Sequence, residues 1–464
     1  QCSFVCPHGV IRPFLLNEEE YNNAPDSVKK RCVKPIEKNL QHYYYVIGTS
    51  IKNCTGCGLC IKTCPGKMGN KALIRVAIEE ELKADQQEVA DYLFYNVSEK
   101  PEINTNTIKG SQFKKPKFFF HGACAGCGET AYIKLLTQLF GENLIIANAT
   151  GCSSIYGASA PDMPYTIPWA SSLFEDNAEY GYGIHLGNQT IRTNLRRLFE
   201  ENIENENQEL ITKWLENSED YTITNEVYEK LDYSKLPQEI VDLKEYIPSK
   251  IIWTIGGDGW AYDIGFGGID HILASGDNVN ILVLDTQVYS NTGGQSSKST
   301  PKGSVASFAS TGKIRNQKDL ARIALAYPDV YVATVSQGFN QMQVIKAFKE
   351  AAAHNGPSII IAYSTCISHG ISGGMENSLE ASNLATKCGY FLIFRYIPDK
   401  EEFILDSKNV DFDLYEEFLM NESRYKILNV INPNEAQNLL EENRNSALKR
   451  YEYYKSLAEK KKGI

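Results

Sequence analysis

Ile251-Ile252-Trp253-Thr254-Ile255-Gly256-Gly257-Asp258-Gly259-Trp260 joins an apolar, β-branched run to a glycine turn that holds a single carboxylate. The run reads as a strand buried on both faces, and the glycines as the turn that ends it. Ligands of open α/β sheets bind beyond the carboxyl ends of the strands, so Asp258 stands where a cofactor belongs. A second run, Asn280–Asp285, leads into Thr286-Gln287-Val288-Tyr289-Ser290-Asn291-Thr292-Gly293-Gly294-Gln295. Two neighbouring strand ends would then offer a carboxylate, a hydroxyl and free backbone carbonyls. These are hard oxygen donors that suit Mg2+ together with diphosphate oxygens and water. Gly256, Gly257 and Gly259 would let the backbone approach such a diphosphate closely.

A lone Gly-Asp-Gly is usually just a turn. Followed by Asn291-Thr-Gly-Gly294 after another strand, it is the pattern of a thiamine diphosphate site. Further apolar runs at 144–148, 330–335 and 358–362 predict strands, and helical patterns at 129–140, 318–326 and 339–353 lie between them. Strands alternating with helices indicate an α/β domain, a doubly wound parallel sheet covered on both faces. Residues 200–245 are rich in Asn, Glu and Lys and read as a solvated helical excursion. The charged tail from 433 to 462 is expected to be helical and to wrap another part of the protein.

Upstream stands Cys54-x2-Cys57-x2-Cys60-x3-Cys64-Pro65. Three cysteines so spaced wrap one side of a cubane cluster, and the fourth, before proline, points to a second cluster, as in bacterial two-cluster ferredoxins. A zinc knuckle or free surface thiols is the alternative. The chain opens in mid-motif on Gln1-Cys2-Ser3-Phe4-Val5-Cys6-Pro7, the last half of another such run. This predicts a fragment of a longer polypeptide. By the crossover rule one [4Fe–4S] cluster takes Cys6, Cys54, Cys57 and Cys60, whereas the cluster of Cys2 and Cys64 is incomplete.

Cys124-Ala-Gly-Cys127-Gly128 precedes a helix, while Cys152 and Cys366 follow strands. Four cysteines at the ends of elements in one domain predict a converging site for an iron–sulfur cluster or for zinc. The upstream cysteines favour the cluster, because an electron path needs a donor at its end. Cys32 and Cys388 lack partners and read as ordinary thiols. The expected organisation is a small α+β two-cluster ferredoxin-like domain over 1–100, a linker over 101–117, a thiamine diphosphate and Mg2+ domain over 118–400 and a helical extension over 401–464.

At 464 residues the chain suggests two or three domains, and 42% apolar with 22% charged residues is ordinary for a globular protein. A formal net charge of −10 argues against nucleic acid, and no apolar stretch is long enough to span a bilayer. Twelve cysteines with metal-like spacing point to a reducing compartment, the cytoplasm or a reducing anaerobic organelle.

Together these residues resemble the C-terminal part of the pyruvate:ferredoxin oxidoreductase family. The resemblance runs through His121-Gly-Ala-Cys-Ala-Gly-Cys-Gly-Glu129-Thr130, Ala149-Thr-Gly-Cys152-Ser-Ser, Ser172-Leu-Phe-Glu-Asp-Asn-Ala-Glu-Tyr180-Gly, Gly256-Gly-Asp-Gly-Trp-Ala-Tyr-Asp263, Val288-Tyr-Ser-Asn-Thr-Gly-Gly-Gln295 and Tyr363-Ser-Thr-Cys366-Ile-Ser-His-Gly. It implies that Cys124, Cys127, Cys152 and Cys366 hold a [4Fe–4S] cluster proximal to the coenzyme. It implies Mg2+ on Asp258, Thr286 and the Val288 carbonyl. It places Glu129, Phe174, Gly257, Gly259 and Asn291 around thiamine diphosphate, with Asn291 on the substrate side as a catalytic residue.

The implied reaction is oxidative decarboxylation of pyruvate to acetyl-CoA and CO2, with coenzyme A taking the acetyl group. Electrons would leave singly through the clusters to ferredoxin, flavodoxin or a fused flavin reductase serving NADP. An oxidoreductase for another 2-oxoacid, or a non-catalytic electron-transfer subunit, are the alternatives; a mere relay would not need the Asp258/Thr286 pair. The resemblance also implies a homodimer and a missing N-terminal half that supplies the activating glutamate and most pyruvate contacts, so this piece is expected to be inactive alone. One departure stands out. Pro164-Tyr-Thr-Ile-Pro-Trp169 runs straight on where the family carries an Asn-x-x-Gly-Arg-Gly-Pro-like stretch.

Overall fold

The computed structural model describes residues 1–66, 70–158, 163–204 and 206–459. The chain end at 460–464 lies outside these. Strands are numbered in chain order: β1 Ile11–Leu16, β2 Tyr44–Thr49, β3 Leu144–Ala149, β4 Trp169–Ser172, β5 Ile251–Gly257, β6 Asn280–Asp285, β7 Tyr331–Val335, β8 Ser358–Tyr363, β9 Phe394–Ile397 and β10 Glu402–Leu405.

β3 to β10 form one sheet in the order β10-β9-β7-β8-β6-β5-β3-β4. Its six-strand body, β3 to β8, is parallel, whereas β9 runs antiparallel to β7 and β10 antiparallel to β9. Alternation along the strands feeds two cores. Ile281, Val283, Ile359 and Ile361 enter one; Leu282, Leu284, Ile360 and Ala362 enter the other. Burial on both faces is why these strands read as unbroken apolar runs rather than as alternating ones.

The sheet passes the boundary expected at 400, because β10 hydrogen-bonds β9. Beyond it the helix Pro433–Glu459 buries Ala436, Leu439, Ala447 and Tyr454. The Tyr454 ring lies 4.4 Å from Phe394, so this helix covers the antiparallel edge. The helix Asn177–Glu201, which periodicity did not announce, crosses β3 and β5 at Gly181. A side chain there would meet Thr254 Cβ at 3.0 Å and Ala147 Cβ at 3.2 Å. The helical excursion at 200–245 is not simply solvated. Leu198, Phe199, Ile211, Trp214, Val227 and Ile240 give it an apolar core of its own.

The first hundred residues hold the antiparallel pair β1–β2 and the helix Gln86–Asn96, whose Val89, Ala90, Leu93 and Phe94 close over Phe14, Leu16 and Val46. Short helices, Cys2–Val5 and Leu59–Lys62, carry parts of the two cysteine runs. Phe4, Val5 and Leu59 belong to the same core as Tyr132, Leu136 and Val344, so this module is docked on the sheet domain. The stretch expected as a linker is docked too: it holds the helix Ile108–Ser111, and Ser111 and Gln112 are buried. Gln112 is held there because its side-chain oxygen accepts from Ser3 Oγ at 3.0 Å. Among the described residues no helix is long and apolar enough to cross a membrane.

Candidate coenzyme corner and thiol sites

The register of β5 on β6 sets Gly257 opposite Leu284, so the residues that follow each strand meet at one corner. There the Thr286 hydroxyl lies 3.0 Å from Asp258 Oδ1, 3.0 Å from the Val288 carbonyl oxygen and 3.0 Å from Ser290 Oγ. Ser297 Oγ donates to Asp258 Oδ2 at 2.5 Å. One hydroxyl hydrogen faces three acceptors, an oxygen-rich arrangement whose donor chemistry fits a hard cation such as Mg2+.

Asp258 is buried, and burial, followed by the charge of Asp285, holds its carboxyl well above the usual range. A buried carboxylate so disfavoured is one that a bound cation would stabilise. Asp285 is satisfied from inside the protein: Ser299 Oγ donates at 2.7 Å, Tyr262 Oη at 2.9 Å and the Gln287 amide at 3.0 Å. Burial still raises its carboxyl to about 6.

Gln287 adopts φ +60°, a left-handed conformation that costs a non-glycine residue about 1–3 kcal/mol. Its side-chain oxygen accepts from Tyr390 Oη at 2.5 Å and Arg424 Nη2 at 3.1 Å, which hold it there. Its strained backbone lies between Thr286 and Val288, where the Val288 carbonyl faces the Thr286 hydroxyl. The three glycines divide. A side chain at Gly256 would meet the Trp260 ring at 2.4 Å, and one at Gly259 the Tyr289 ring at 2.5 Å. Packing inside the protein therefore accounts for these two. At Gly257 the nearest atom is the Leu284 carbonyl oxygen at 3.9 Å, so this glycine alone opens on space.

Phe174 is packed with its ring 5.8 Å from Tyr289, and Asn291 lies exposed in the turn closed by the Tyr289 amide on the Gln295 carbonyl at 2.9 Å. Trp169 begins β4, and its ring stacks on Tyr165 at 5.3 Å, so the short Pro164–Trp169 run is folded onto the sheet edge.

Cys127 and Cys366 are brought together by backbone: the Gly128 amide donates to the Thr365 carbonyl at 3.1 Å, and a side chain at Gly128 would collide with Thr365. Cys152 begins a helix just past β3. Its thiol is pushed up by burial and then by the charges of Glu129, Cys366, Cys127 and Cys124, so the four predicted cysteines share one neighbourhood. Glu129 sits among these thiols, buried, accepting from Tyr156 Oη at 3.0 Å, and burial raises its carboxyl to about 7. Burial also raises Cys127 and Cys366.

Upstream, Cys6, Cys54, Cys57 and Cys60 line one cavity of about 450 Å³ whose walls include Val10, Ile51 and Leu59. Burial, then the charges of Cys6, Cys57 and Cys54, push the Cys60 thiol up to about 12. Cys64 is not among the residues lining that cavity; its sulfur accepts the Ala72 amide at 3.3 Å, and such backbone hydrogen bonds lower its thiol. Cys2 is half-buried in a small apolar cluster that includes Cys6 and Cys60. The two thiol sets are neighbours, since a side chain at Gly126 would come within 3.6 Å of Cys57 Cβ. Among the described residues no three His, Cys, Asp or Glu side chains close tightly enough to hold a single metal ion.

Sequence reading missed Ser290, Ser297 and Asp285 at the corner, and His369, whose Nε2 donates to the Thr286 carbonyl at 2.7 Å. Only the density of hydroxyl residues over 290–300 hinted at the first two.

Residues 241–362, which hold this corner, match the family described as thiamine pyrophosphate enzyme, C-terminal TPP binding domain. The pyruvate:ferredoxin oxidoreductase of Moorella thermoacetica is 44% identical over 99% of this chain and 41% of its own length. The pyruvate-flavodoxin oxidoreductase of Klebsiella pneumoniae is 42% identical over 99% of this chain and 40% of its own. For the pyruvate dehydrogenase [NADP(+)] of Cryptosporidium parvum the values are 39%, 99% and 27%. The chain thus spans about two fifths or less of the length of these relatives. Among solved structures, a 2-oxoglutarate:ferredoxin oxidoreductase from Magnetococcus marinus covers 53% of the chain and 64% of its own at 16% identity and a TM-score of 0.35, too distant to bear on the fold. With the thiamine pyrophosphate domain in place over residues 241–362, the chain is similar from end to end to a part of the pyruvate:ferredoxin and pyruvate-flavodoxin oxidoreductases.

Proposed function

We propose that this chain provides the coenzyme corner and the electron exit of an enzyme that decarboxylates pyruvate oxidatively. The observation that carries the reading is the set of Asp258, Thr286 and Val288 oxygens at two adjacent strand ends, with four thiols in the same domain. Asp258, the Thr286 hydroxyl and the Val288 carbonyl would hold Mg2+, and the open face of Gly257 leaves the backbone free for diphosphate. Bound there, thiamine diphosphate supplies the electron sink for loss of CO2 from a 2-oxoacid. Phe174 and the exposed Asn291 flank the approach to the corner, Asn291 on the side from which substrate arrives.

Cys124, Cys127, Cys152 and Cys366 suit a cubane better than one zinc ion. A single ion draws four sulfurs to about 2.3 Å from its centre, whereas a cubane takes one sulfur at each of four separate corners. Cys6, Cys54, Cys57 and Cys60 would hold the second cluster in their cavity. Such clusters supply one-electron carriers, and the contact of Cys57 with the Gly126 turn keeps the two sets adjacent. Pyruvate, coenzyme A, a ferredoxin or flavodoxin acceptor and the remainder of the longer enzyme complete the reading.

The test is binding. Mg2+ with thiamine diphosphate is expected to raise the melting temperature of this protein, and Asp258→Asn to abolish the rise. An equal rise in both proteins, or none in either, would contradict the assignment.

A further inference from the structure

Between the coenzyme corner and the thiols of the sheet domain stands one side chain that neither site has so far required, Ser290. Its hydroxyl is 3.0 Å from Thr286 Oγ1 and 3.3 Å from the Cys366 sulfur. Thr286 in turn is 3.0 Å from Asp258 Oδ1. Asp258, Thr286, Ser290 and Cys366 therefore form a continuous chain of contacts from the candidate cation site to a candidate cluster ligand. A second link fixes the two ends of this chain against each other. His369, three residues after Cys366, is fully buried and donates from Nε2 to the Thr286 carbonyl at 2.7 Å. Its ring is backed by Glu422 at 3.6 Å, and Glu422 is gripped by Arg424 at 2.6 Å. The turn bearing Cys366 is thus bound to the loop bearing Thr286 by both side chain and backbone.

The geometry points to Ser290 as a positioning residue that couples occupancy of the cation site to the electron affinity of the sulfur centre at Cys366. The inference rests on the reading of Cys366 as a cluster ligand. With Cys366 protonated, its thiol donates to Ser290, as the structure shows it. Once the sulfur binds metal it carries no hydrogen, and the Ser290 hydrogen, which here has the Val288 carbonyl oxygen at 3.3 Å as its acceptor, can turn to the sulfur. A cation held by Asp258, the Thr286 hydroxyl and the Val288 carbonyl would engage two of the three acceptors this hydroxyl faces and leave its hydrogen to Ser290, while freeing the Ser290 hydrogen from the Val288 carbonyl. With a hydrogen bond accepted from Thr286, Ser290 donates more strongly to the sulfur. A hydrogen bond to a ligating sulfur stabilises the reduced, more negative cluster and raises its potential. In this step one electron enters from the reductant and no proton moves, the serine hydrogen remaining on its oxygen. By reciprocity, a reduced centre then alters the affinity of the corner for the cation and its diphosphate.

The experiment is a potentiometric titration with dithionite, followed by electron paramagnetic resonance, on the full chain reconstituted anaerobically with iron and sulfide. Cys366→Ser identifies which signal belongs to the centre in question. Ser290→Ala is expected to lower the midpoint potential of that signal and Ser290→Thr to restore it. Ser290→Cys, a weaker donor, should fall between and serves where Ser290→Ala does not assemble the centre. Mg2+ with thiamine diphosphate is expected to shift the potential of the parent chain and to leave Ser290→Ala unmoved. Identical potentials in the parent and Ser290→Ala, or the same coenzyme-dependent shift in both, overturn the inference while leaving the proposed function standing. A parent chain that takes up no iron at Cys366 overturns the cluster reading first, and this inference with it.

Discussion

Gly256 and Gly257 are adjacent in the sequence and answer to different constraints. The first is glycine because the Trp260 ring and Ala149 Cβ occupy the space a side chain would need, at 2.4 and 2.8 Å. The second meets nothing nearer than 3.9 Å within the chain. Gly256→Ala is therefore expected to destabilise the protein by about 1–3 kcal/mol, the cost of overpacking a filled core. Gly257→Ala should leave stability within roughly 0.5 kcal/mol and weaken binding of Mg2+–thiamine diphosphate. Denaturant unfolding and calorimetric binding of both variants check this; a Gly257→Ala variant that binds normally would remove the diphosphate from that side of the turn. Asp258, Thr286 and the cysteines of the sheet domain were legible as candidates because strand ends and glycine turns announce where a parallel sheet binds ligands. The Val288 carbonyl was named only through the family resemblance, and the upstream cysteines were legible from their spacing. Ser290 and Ser297 were not, since in a run containing Ser296, Ser297, Ser299 and Thr300 no local pattern tells which hydroxyl will fold back on Asp258. That is decided by the register of β5 on β6.

Among the elements, the joint between the cysteine module and the sheet domain is the part with a titration signature. The His121 ring stacks between Phe118 at 4.6 Å and His8 at 4.5 Å. Its Nε2 donates to the Pro7 carbonyl at 2.8 Å, and its Nδ1 accepts the Ala123 amide at 3.3 Å. Both nitrogens are thus satisfied with the ring neutral. Burial, and then the neighbouring His8, lower its pKa from 6.5 to about 3. A histidine free in the unfolded chain takes up a proton before this one does. Between pH 6.5 and about 3 the unfolded state binds more protons, so the stability from neutral His121 is full above 6.5 and lost as pH falls. The slope is about 1.4 kcal/mol per pH unit. His121→Phe is expected to flatten the acid limb of unfolding free energy against pH, and parallel limbs for parent and variant would refute the neutral-histidine joint. The strands β3, β5, β6, β7 and β8 and three helices were readable from apolar runs and helical spacing. β4, β9 and β10, four residues each, were not, because they lie at the two margins of the sheet, where burial is uneven and the pattern too short to register.

At the scale of the whole molecule, a hard-oxygen corner and two sets of thiols sit in one docked body. Anaerobic reconstitution is expected to bring roughly eight irons per chain, four to each complete thiol set. Cys60→Ser and Cys152→Ser should each cost about half of that iron, in different spectroscopic signals, and loss of both signals together would mean that the sets are not independent. The arrangement of the sets was half legible: spacing grouped Cys54, Cys57 and Cys60, and the crossover rule assigned Cys6 to them. That Gly126 would bring the second set against Cys57 followed only from the docking of the module, which no periodicity encodes. The most direct measurement is diffraction at the iron edge from a crystal grown anaerobically with Mg2+ and thiamine diphosphate. An iron peak enclosed by Cys124, Cys127, Cys152 and Cys366 is expected, with the diphosphate metal on Asp258, Thr286 and Val288. A zinc peak between those four sulfurs, or a coenzyme bound away from the ends of β5 and β6, would contradict it.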